Sequence, residues 1–230
     1  MNAVSTLASN PLWYAARAGG TVALVLLTAS TTLGVAVGGR AVPRRLGRFE
    51  VSLLHRNVAV LTVVFLALHI VTAIVDPYVH LGWAVAVLPF GSGYRPLWLG
   101  LGTVAFDLLL AVLVTTALRL RLGRARWKAV HWLAYAAWPV ALFHAAGTGT
   151  DTRLPLQLVL YGACLAAVVT AAWWRLYRAG PGRRLVRFGG ALAAVAVPAL
   201  AAGFLTAGPL QPGWAHRAAV FSLAALGGAR

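Results

Sequence analysis

Four histidines form two pairs within long apolar stretches of the 230-residue sequence. His55 and His69 are 14 residues apart, and His131 and His144 are 13 residues apart. An ionisable residue within such a stretch is rare and by default indicates a functional site. Because neutral imidazole is the commonest metal ligand among side chains, the chemistry these residues suggest is metal binding.

The elements that carry these histidines are predicted to be membrane-spanning helices. The chain is 60% apolar and only 10% charged, with a mean hydropathy of +0.80. This composition excludes an ordinary soluble domain and a disordered chain, and the single cysteine, Cys164, excludes a disulfide framework. Six stretches reach the roughly 20 apolar residues that a span needs, at about 14–38 (span A), 51–75 (B), 97–118 (C), 127–147 (D), 154–176 (E) and 188–207 (F).

The basic residues predict how the spans are oriented. The chain has 20 Lys and Arg against 4 Asp and Glu, and most of the basic residues lie in the A–B, C–D and E–F connections. Cytoplasmic loops carry such an excess, so the charge is interpreted as an orientation signal and not as a nucleic-acid surface. The expectation is a multi-pass protein of the plasma membrane with an external segment 1–13, a six-helix domain 14–207 and an external tail 208–230.

The two histidine pairs match in depth. His55 and His131 are both the fifth residue of their spans, B and D, whereas His69 and His144 lie near the outer ends. At about 1.5 Å per residue, the two levels are roughly 20 Å apart. Two histidines at one level can clamp a haem iron from both sides, and two levels would hold two stacked haems. Zinc is a poorer fit, because no Cys, Asp or Glu accompanies either level.

Two points weigh against this interpretation. The alternative is that the four histidines are unrelated polar residues that neighbouring helices satisfy. In addition, 14 residues bring a side chain back to within about 40° of the same helix face, but 13 residues miss that face by about 140°. Pro139 lies between His131 and His144 and is expected to kink or unwind span D.

The chain resembles the ferric reductase-like transmembrane domain. This superfamily includes ferric reductases, NADPH oxidases and the haem-binding membrane subunit of the methionine sulfoxide reductase system. The resemblance covers roughly residues 20–180 and is carried by the histidine spacing and by the stretches LLHRNVAVLTVVFLALHIVTAIVD, WLGLGTVAFDLLLAVLVTTALR and WKAVHWLAYAAWPVALFHAAGTGTDT. It implies b-type haems, an inner one on His55 and His131 and an outer one on His69 and His144.

The family also implies electron flow from a flavin or nicotinamide donor on one side of the membrane to an acceptor on the other. This sequence departs from the larger members, because no GxGxxG motif follows a strand and the residues after span F are too few for a flavin-binding module. The expected donor is therefore a separate flavoprotein or reductase, or a quinol.

Five further residues are candidates for the surroundings of the haems. Basic side chains near the histidines could pair with haem propionates, although basic residues at helix ends are also ordinary interface anchors. Asp107, in the middle of span C, either makes an interhelical hydrogen bond or takes part in proton or cofactor handling. The basic candidates are Arg56 and Lys128 at the inner level and Arg95 and Arg153 at the outer level.

The predicted fold is an all-α integral membrane protein, a six-helix haem-binding bundle. The predicted function is transmembrane electron transfer by the membrane subunit of an oxidoreductase system, working within the lipid bilayer and without nucleic acid. Two alternatives stay open: direct reduction of ferric iron or another metal at the outer face, and a cofactor-free transport or assembly protein.

Overall fold

A computed structural model describes residues 11–38, 47–77, 81–149, 151–178 and 184–214. The predicted terminal segments 1–13 and 208–230, and the loop joining spans A and B, lie largely outside these residues. The described residues contain no strand, and their α-helices are α1 (Pro11–Gly38), α2 (Arg48–Val75), α3 (Pro96–Ala117), α4 (Arg119–Leu122), α5 (Arg124–His131), α6 (Leu133–Thr148), α7 (Pro155–Arg178) and α8 (Arg184–Ala207).

Five of these helices, α1, α2, α3, α7 and α8, are long and apolar enough to cross a membrane. Their outward faces carry large exposed apolar side chains, such as Val60, Val64 and Val159, which suits lipid contact. The protein is therefore an all-α membrane protein, as the sequence predicts. The sixth predicted span, D, is divided between α5 and α6, and α6 has only 16 residues.

The division of span D falls at Trp132, immediately after His131. Trp132 keeps helical backbone angles, with φ −65° and ψ −21°, while Tyr135 N–H bonds back only three residues to the Trp132 carbonyl at 3.0 Å. The helix α6 continues through Pro139. The expected interruption of span D therefore lies seven residues earlier than Pro139.

Local sequence explains where the helices begin and end. The helices α3 and α7 start at Pro96 and Pro155, since proline fits the first turn, where its missing N–H is not needed. The helix α2 begins after Gly47, whose N–H donates to the Glu50 carboxylate at 3.1 Å. It ends at Asp76, which precedes Pro77.

The bundle is held by two extensive helix pairs, α1 with α2 and α3 with α6. The helix α1 also contacts α6 and α7, so the two pairs share one core. At its centre Trp138 is 2% exposed and donates from Nε1 to Thr28 Oγ1 at 2.9 Å, which ties α6 to α1. Because α1 packs along α2, this bond also helps to hold α6, which carries His144, in place beside α2, which carries His55 and His69.

The segment between α2 and α3 contains a short 3₁₀-helix, Trp83–Ala86. Thr103 of α3 donates to the Val85 carbonyl at 2.7 Å and so anchors the segment on the bundle. Trp83, Leu88 and Phe90 are exposed. The segment therefore packs on α3 through a backbone carbonyl and presents apolar side chains outward.

Candidate functional site

The structure brings the four histidines together as two pairs. The ring centroids of His55 and His131 are 6.3 Å apart, and those of His69 and His144 are 6.2 Å apart. The rings of each pair are steeply inclined, at 81° and 69° respectively. His131 and His144 therefore both meet histidines of α2 despite their 13-residue spacing. The irregular turn at Trp132 lies between them.

Three of the four imidazoles are oriented by a backbone carbonyl on a neighbouring helix. The acceptors are Ser30 O for His55 Nδ1, Ala16 O for His69 Nδ1 and Trp98 O for His144 Nδ1, at 2.9, 2.6 and 2.8 Å. Because a carbonyl oxygen only accepts, each Nδ1 must carry the proton, and Nε2 keeps its lone pair. This is the arrangement that metal-ligating histidines commonly show.

His131 is the exception. Its Nδ1 is buried and has no hydrogen-bond partner among the described residues. Its ring instead lies against Trp127, with centroids 5.1 Å apart and planes inclined at 31°. Trp127 is itself fixed, because its Nε1 donates to Thr116 Oγ1 at 3.2 Å. Stacking, rather than a carbonyl, therefore positions this imidazole.

Glycines make room for the other three rings. A Cβ at Gly20 would lie 2.9 Å from His69 Cε1, one at Gly34 would lie 3.2 Å from His55 Cε1, and one at Gly102 would lie 2.6 Å from His144 Cε1. Contacts this short force the imidazole or the helix to move. The sequence signal for these positions is weak, because small residues in a span more often mark close helix packing.

The outer pair lines a cavity of about 310 Å³. Gly20 and Gly102, the glycines that pack against its two histidines, lie on the same wall. The wall also includes Asp151, which forms an ion pair with Arg17. The cavity lining therefore combines apolar side chains, two histidines and a charged pair.

The candidate surrounding residues behave differently from one another. Arg56 and Lys128 are exposed and form no hydrogen bond or ion pair with a described residue. Arg153 donates from Nε to Pro209 O at 3.1 Å and from Nη2 to Leu210 O at 2.8 Å, so it fixes the chain after α8. Asp107 is half-buried on α3 and likewise has no bonded partner in the described part of the chain.

Arg95 is the buried member of this set, at 4% exposure. It precedes α3 with a left-handed backbone, φ 43°, and donates from Nη1 to Thr148 O at 2.8 Å. Thr148 Oγ1 is in turn 3.2 Å from His144 Nδ1. Arg95 is therefore linked through one residue to an outer histidine.

Each histidine pair stands without further metal-binding side chains in the described part of the chain. Within the described residues, no group of three or more His, Cys, Asp or Glu side chains could hold a metal ion. Each level there offers two imidazoles. Sequence reasoning identified these histidines but missed the roles of Gly20, Gly102 and the carbonyl acceptors, which become visible only when α1 and α3 are placed beside them.

The fold and the site define a class: helical membrane proteins whose histidines are paired at two depths of the bundle. A family model described as ferric reductase like transmembrane component matches residues 19–142, more than half of the chain. The protein belongs to this family, and membership suggests transmembrane electron transfer. The matched segment includes His55, His69 and His131 and ends two residues before His144.

No curated protein and no solved structure matches the chain. The family match and the arrangement of the histidines therefore carry the functional argument.

Proposed function

We propose that this protein transfers electrons across the membrane through two stacked b-type haems. His55 and His131 hold the inner haem, and His69 and His144 hold the outer one. The observation that carries the proposal is the near-identical separation of the two pairs, 6.3 and 6.2 Å between ring centroids.

This separation suits two ligands of one iron. With metal–nitrogen distances of about 2.0–2.1 Å, two imidazoles on opposite sides of a metal have centroids roughly 6.4 Å apart. Two imidazoles are too few for a metal ion bound by protein alone. They are sufficient for haem, whose macrocycle supplies the remaining nitrogens. The donor set at both levels therefore fits an iron porphyrin.

The surroundings of the imidazoles support the same assignment. The carbonyls of Ser30, Ala16 and Trp98 fix the tautomer of three imidazoles, which leaves Nε2 as the ligand atom. The unbonded Nδ1 of His131 marks the one ligand whose orientation depends on stacking. When bound, the haems supply one-electron chemistry. Two histidines at each level would hold the iron without leaving a position for a substrate, which favours electron transfer over binding of a substrate at iron.

The basic loops support an orientation with the inner pair towards the cytoplasm. Each of the three connections A–B, C–D and E–F carries five Lys or Arg when the adjoining ends of the spans are included, whereas the opposite loops carry few. We therefore place the protein in the plasma membrane with both termini outside. A separate flavoprotein, NAD(P)H-dependent reductase or quinol is the proposed donor.

Absorbance and haem analysis of the purified full chain test this function. We expect a reduced-minus-oxidised spectrum typical of b-type haem and two haems per chain. His69→Ala and His144→Ala should each leave one haem, and so should His55→Ala and His131→Ala. The control is His216→Ala, which changes a histidine outside the two pairs and should keep both haems.

Two results would overturn the proposal. The first is a purified, monodisperse chain without a b-type spectrum even after reconstitution with haem. The second is a set of four single variants that all keep two haems, which would show that these histidines are not the ligands.

A further inference from the structure

Arg95 carries a buried positive charge with no counter-ion among the residues that the structure describes. Its side chain is 4% exposed, yet only Nη1 is bonded, to the Thr148 carbonyl at 2.8 Å. All four acidic residues of the chain lie in the described part. The one ion pair found among the described residues joins Arg17 to Asp151. A buried charge without a partner is unfavourable, so an anion from outside the chain is the expected complement.

The free edge of the guanidinium has the shape that a carboxylate requires. Nε is buried and unpartnered, and Nη2 forms no bond with a described residue. These two nitrogens present parallel N–H groups, the fork that binds a carboxylate through both oxygens. The left-handed backbone at Arg95, φ 43°, is a conformation that a non-glycine residue rarely adopts.

Arg95 also lies beside the outer histidine pair. Its two contacts, the Thr148 carbonyl and the ring of Tyr94 at 5.4 Å from Cζ, belong to residues that line the cavity of His69 and His144. The other described arginines of this side are already engaged. Arg17 pairs with Asp151, and Arg153 donates from two nitrogens to backbone carbonyls.

We propose that the Nε–Nη2 edge of Arg95 binds a carboxylate of the group held by His69 and His144. This inference rests on the proposed function, under which that carboxylate is a propionate of the outer haem. Arg95 would then hold the haem through its carboxylate, in addition to the two histidines. Its charge also favours the reduced haem, which is one unit less positive than the oxidised haem.

Redox titration of the purified full chain tests the proposal. Arg95→Gln should lower the equilibrium constant for reduction of one haem about tenfold, or about 59 mV for one electron, and leave the other haem unchanged. Arg95→Lys keeps the charge but loses the fork, so it should change the potential less. Arg153→Gln is the matched control, because its donors already bind carbonyls.

Haem dimethyl ester, which lacks carboxylates, identifies the ligand group. Apoprotein is reconstituted with haem or with its ester, for the wild type and for Arg95→Gln. Arg95→Gln should change the potential when the protein holds haem but not when it holds the ester. The ester has no carboxylate for residue 95 to bind, so the wild type and the variant should then behave alike.

The outcomes separate this inference from the proposed function. Suppose that the wild type holds two haems, and that the two haem potentials of Arg95→Gln and of Arg95→Lys equal those of the control Arg153→Gln. Arg95 then binds no propionate, although the electron-transfer function stands. The same conclusion follows if the ester shows an undiminished effect of Arg95→Gln. If the wild type binds no haem, both proposals are wrong.

Discussion

The outer and inner histidine pairs have the same separation but are built differently. At the outer level, carbonyls orient both imidazoles, at 2.6 Å for His69 and 2.8 Å for His144, and a glycine faces each ring. At the inner level, His55 has a carbonyl partner at 2.9 Å, whereas His131 has none and stacks on Trp127. Carbonyls thus orient both histidines of the outer pair but only one histidine of the inner pair.

The difference follows from the elements that carry the residues. His144 lies near the end of α6, which packs closely along α3, so a carbonyl of α3 is within reach. His131 is the last residue of α5, a short helix with mostly exposed residues. Among the described residues no carbonyl accepts from His131 Nδ1, and an aromatic ring from the same helix takes over the positioning. We infer that the outer site is the more preorganised of the two.

The largest expected effect comes from filling the space beside an outer histidine. Gly102→Ala would place a Cβ 2.6 Å from His144 Cε1, whereas Gly34→Ala would place one 3.2 Å from His55 Cε1. The first contact has to displace an imidazole that the Trp98 carbonyl fixes. The second is relieved by a shift of a few tenths of an ångström. Haem content per chain should fall from two to one in Gly102→Ala and stay at two in Gly34→Ala.

Gly162→Ala is the control for this comparison, because an added Cβ there meets no atom within 4 Å. It should keep both haems and, as a helical Gly→Ala change, should not lower stability. Loss of the same haem in all three glycine variants would instead indicate a general effect on the bundle. Retention of two haems in Gly102→Ala would contradict the account of the outer pocket.

A smaller effect is expected from removing the stacking partner of His131. Trp127→Leu keeps an apolar side chain but removes the ring 5.1 Å away and its bond to Thr116. Partners that orient a metal ligand are worth about 10–100-fold in affinity, and we expect the lower end, about tenfold weaker binding of the inner haem. Haem transfer to excess apomyoglobin measures this as a faster release of one haem of the two.

Trp98 serves as the contrasting position, because it contributes its backbone carbonyl to His144. Trp98→Phe keeps that carbonyl and an aromatic ring against Phe204. It should release both haems at the wild-type rate. Equal release from Trp127→Leu and the wild type would show that stacking does not hold His131.

The sequence predicts the depth of the histidines better than the direction in which they point. Relative depth follows from the nearly constant rise per residue, and the two histidines that the sequence predicts at each level lie beside each other in the structure. Direction depends on the rotation accumulated between His131 and His144, and the irregular turn at Trp132 lies between them. Pro139 was the expected place for such a turn, but nothing in the sequence marks Trp132.

The surroundings of the histidines could be predicted only in part. The charge of Arg95 suggested a partner for a propionate, but its burial and its one bonded nitrogen depend on how the turn before α3 meets the end of α6. Arg153 has the same residue type and is predicted at the same outer level, yet it binds the chain after α8. The carbonyl acceptors leave no signal at all, since every residue has a carbonyl.

The smallest expected effect concerns two hydroxyls beside imidazoles that already donate to a carbonyl. Thr148 Oγ1 is 3.2 Å from His144 Nδ1, and Ser30 Oγ is 3.5 Å from His55 Nδ1. Because each Nδ1 proton is mainly engaged by the carbonyl, Thr148→Val should change the reduction equilibrium of the outer haem less than about threefold, or about 28 mV for one electron. Ser30→Ala should change that of the inner haem less still. A change of tenfold or more in the reduction equilibrium of either haem would mean that the hydroxyl, and not the carbonyl, sets the tautomer of that imidazole. The difference between the outer and inner pairs would then depend on side chains, which can be read from the sequence.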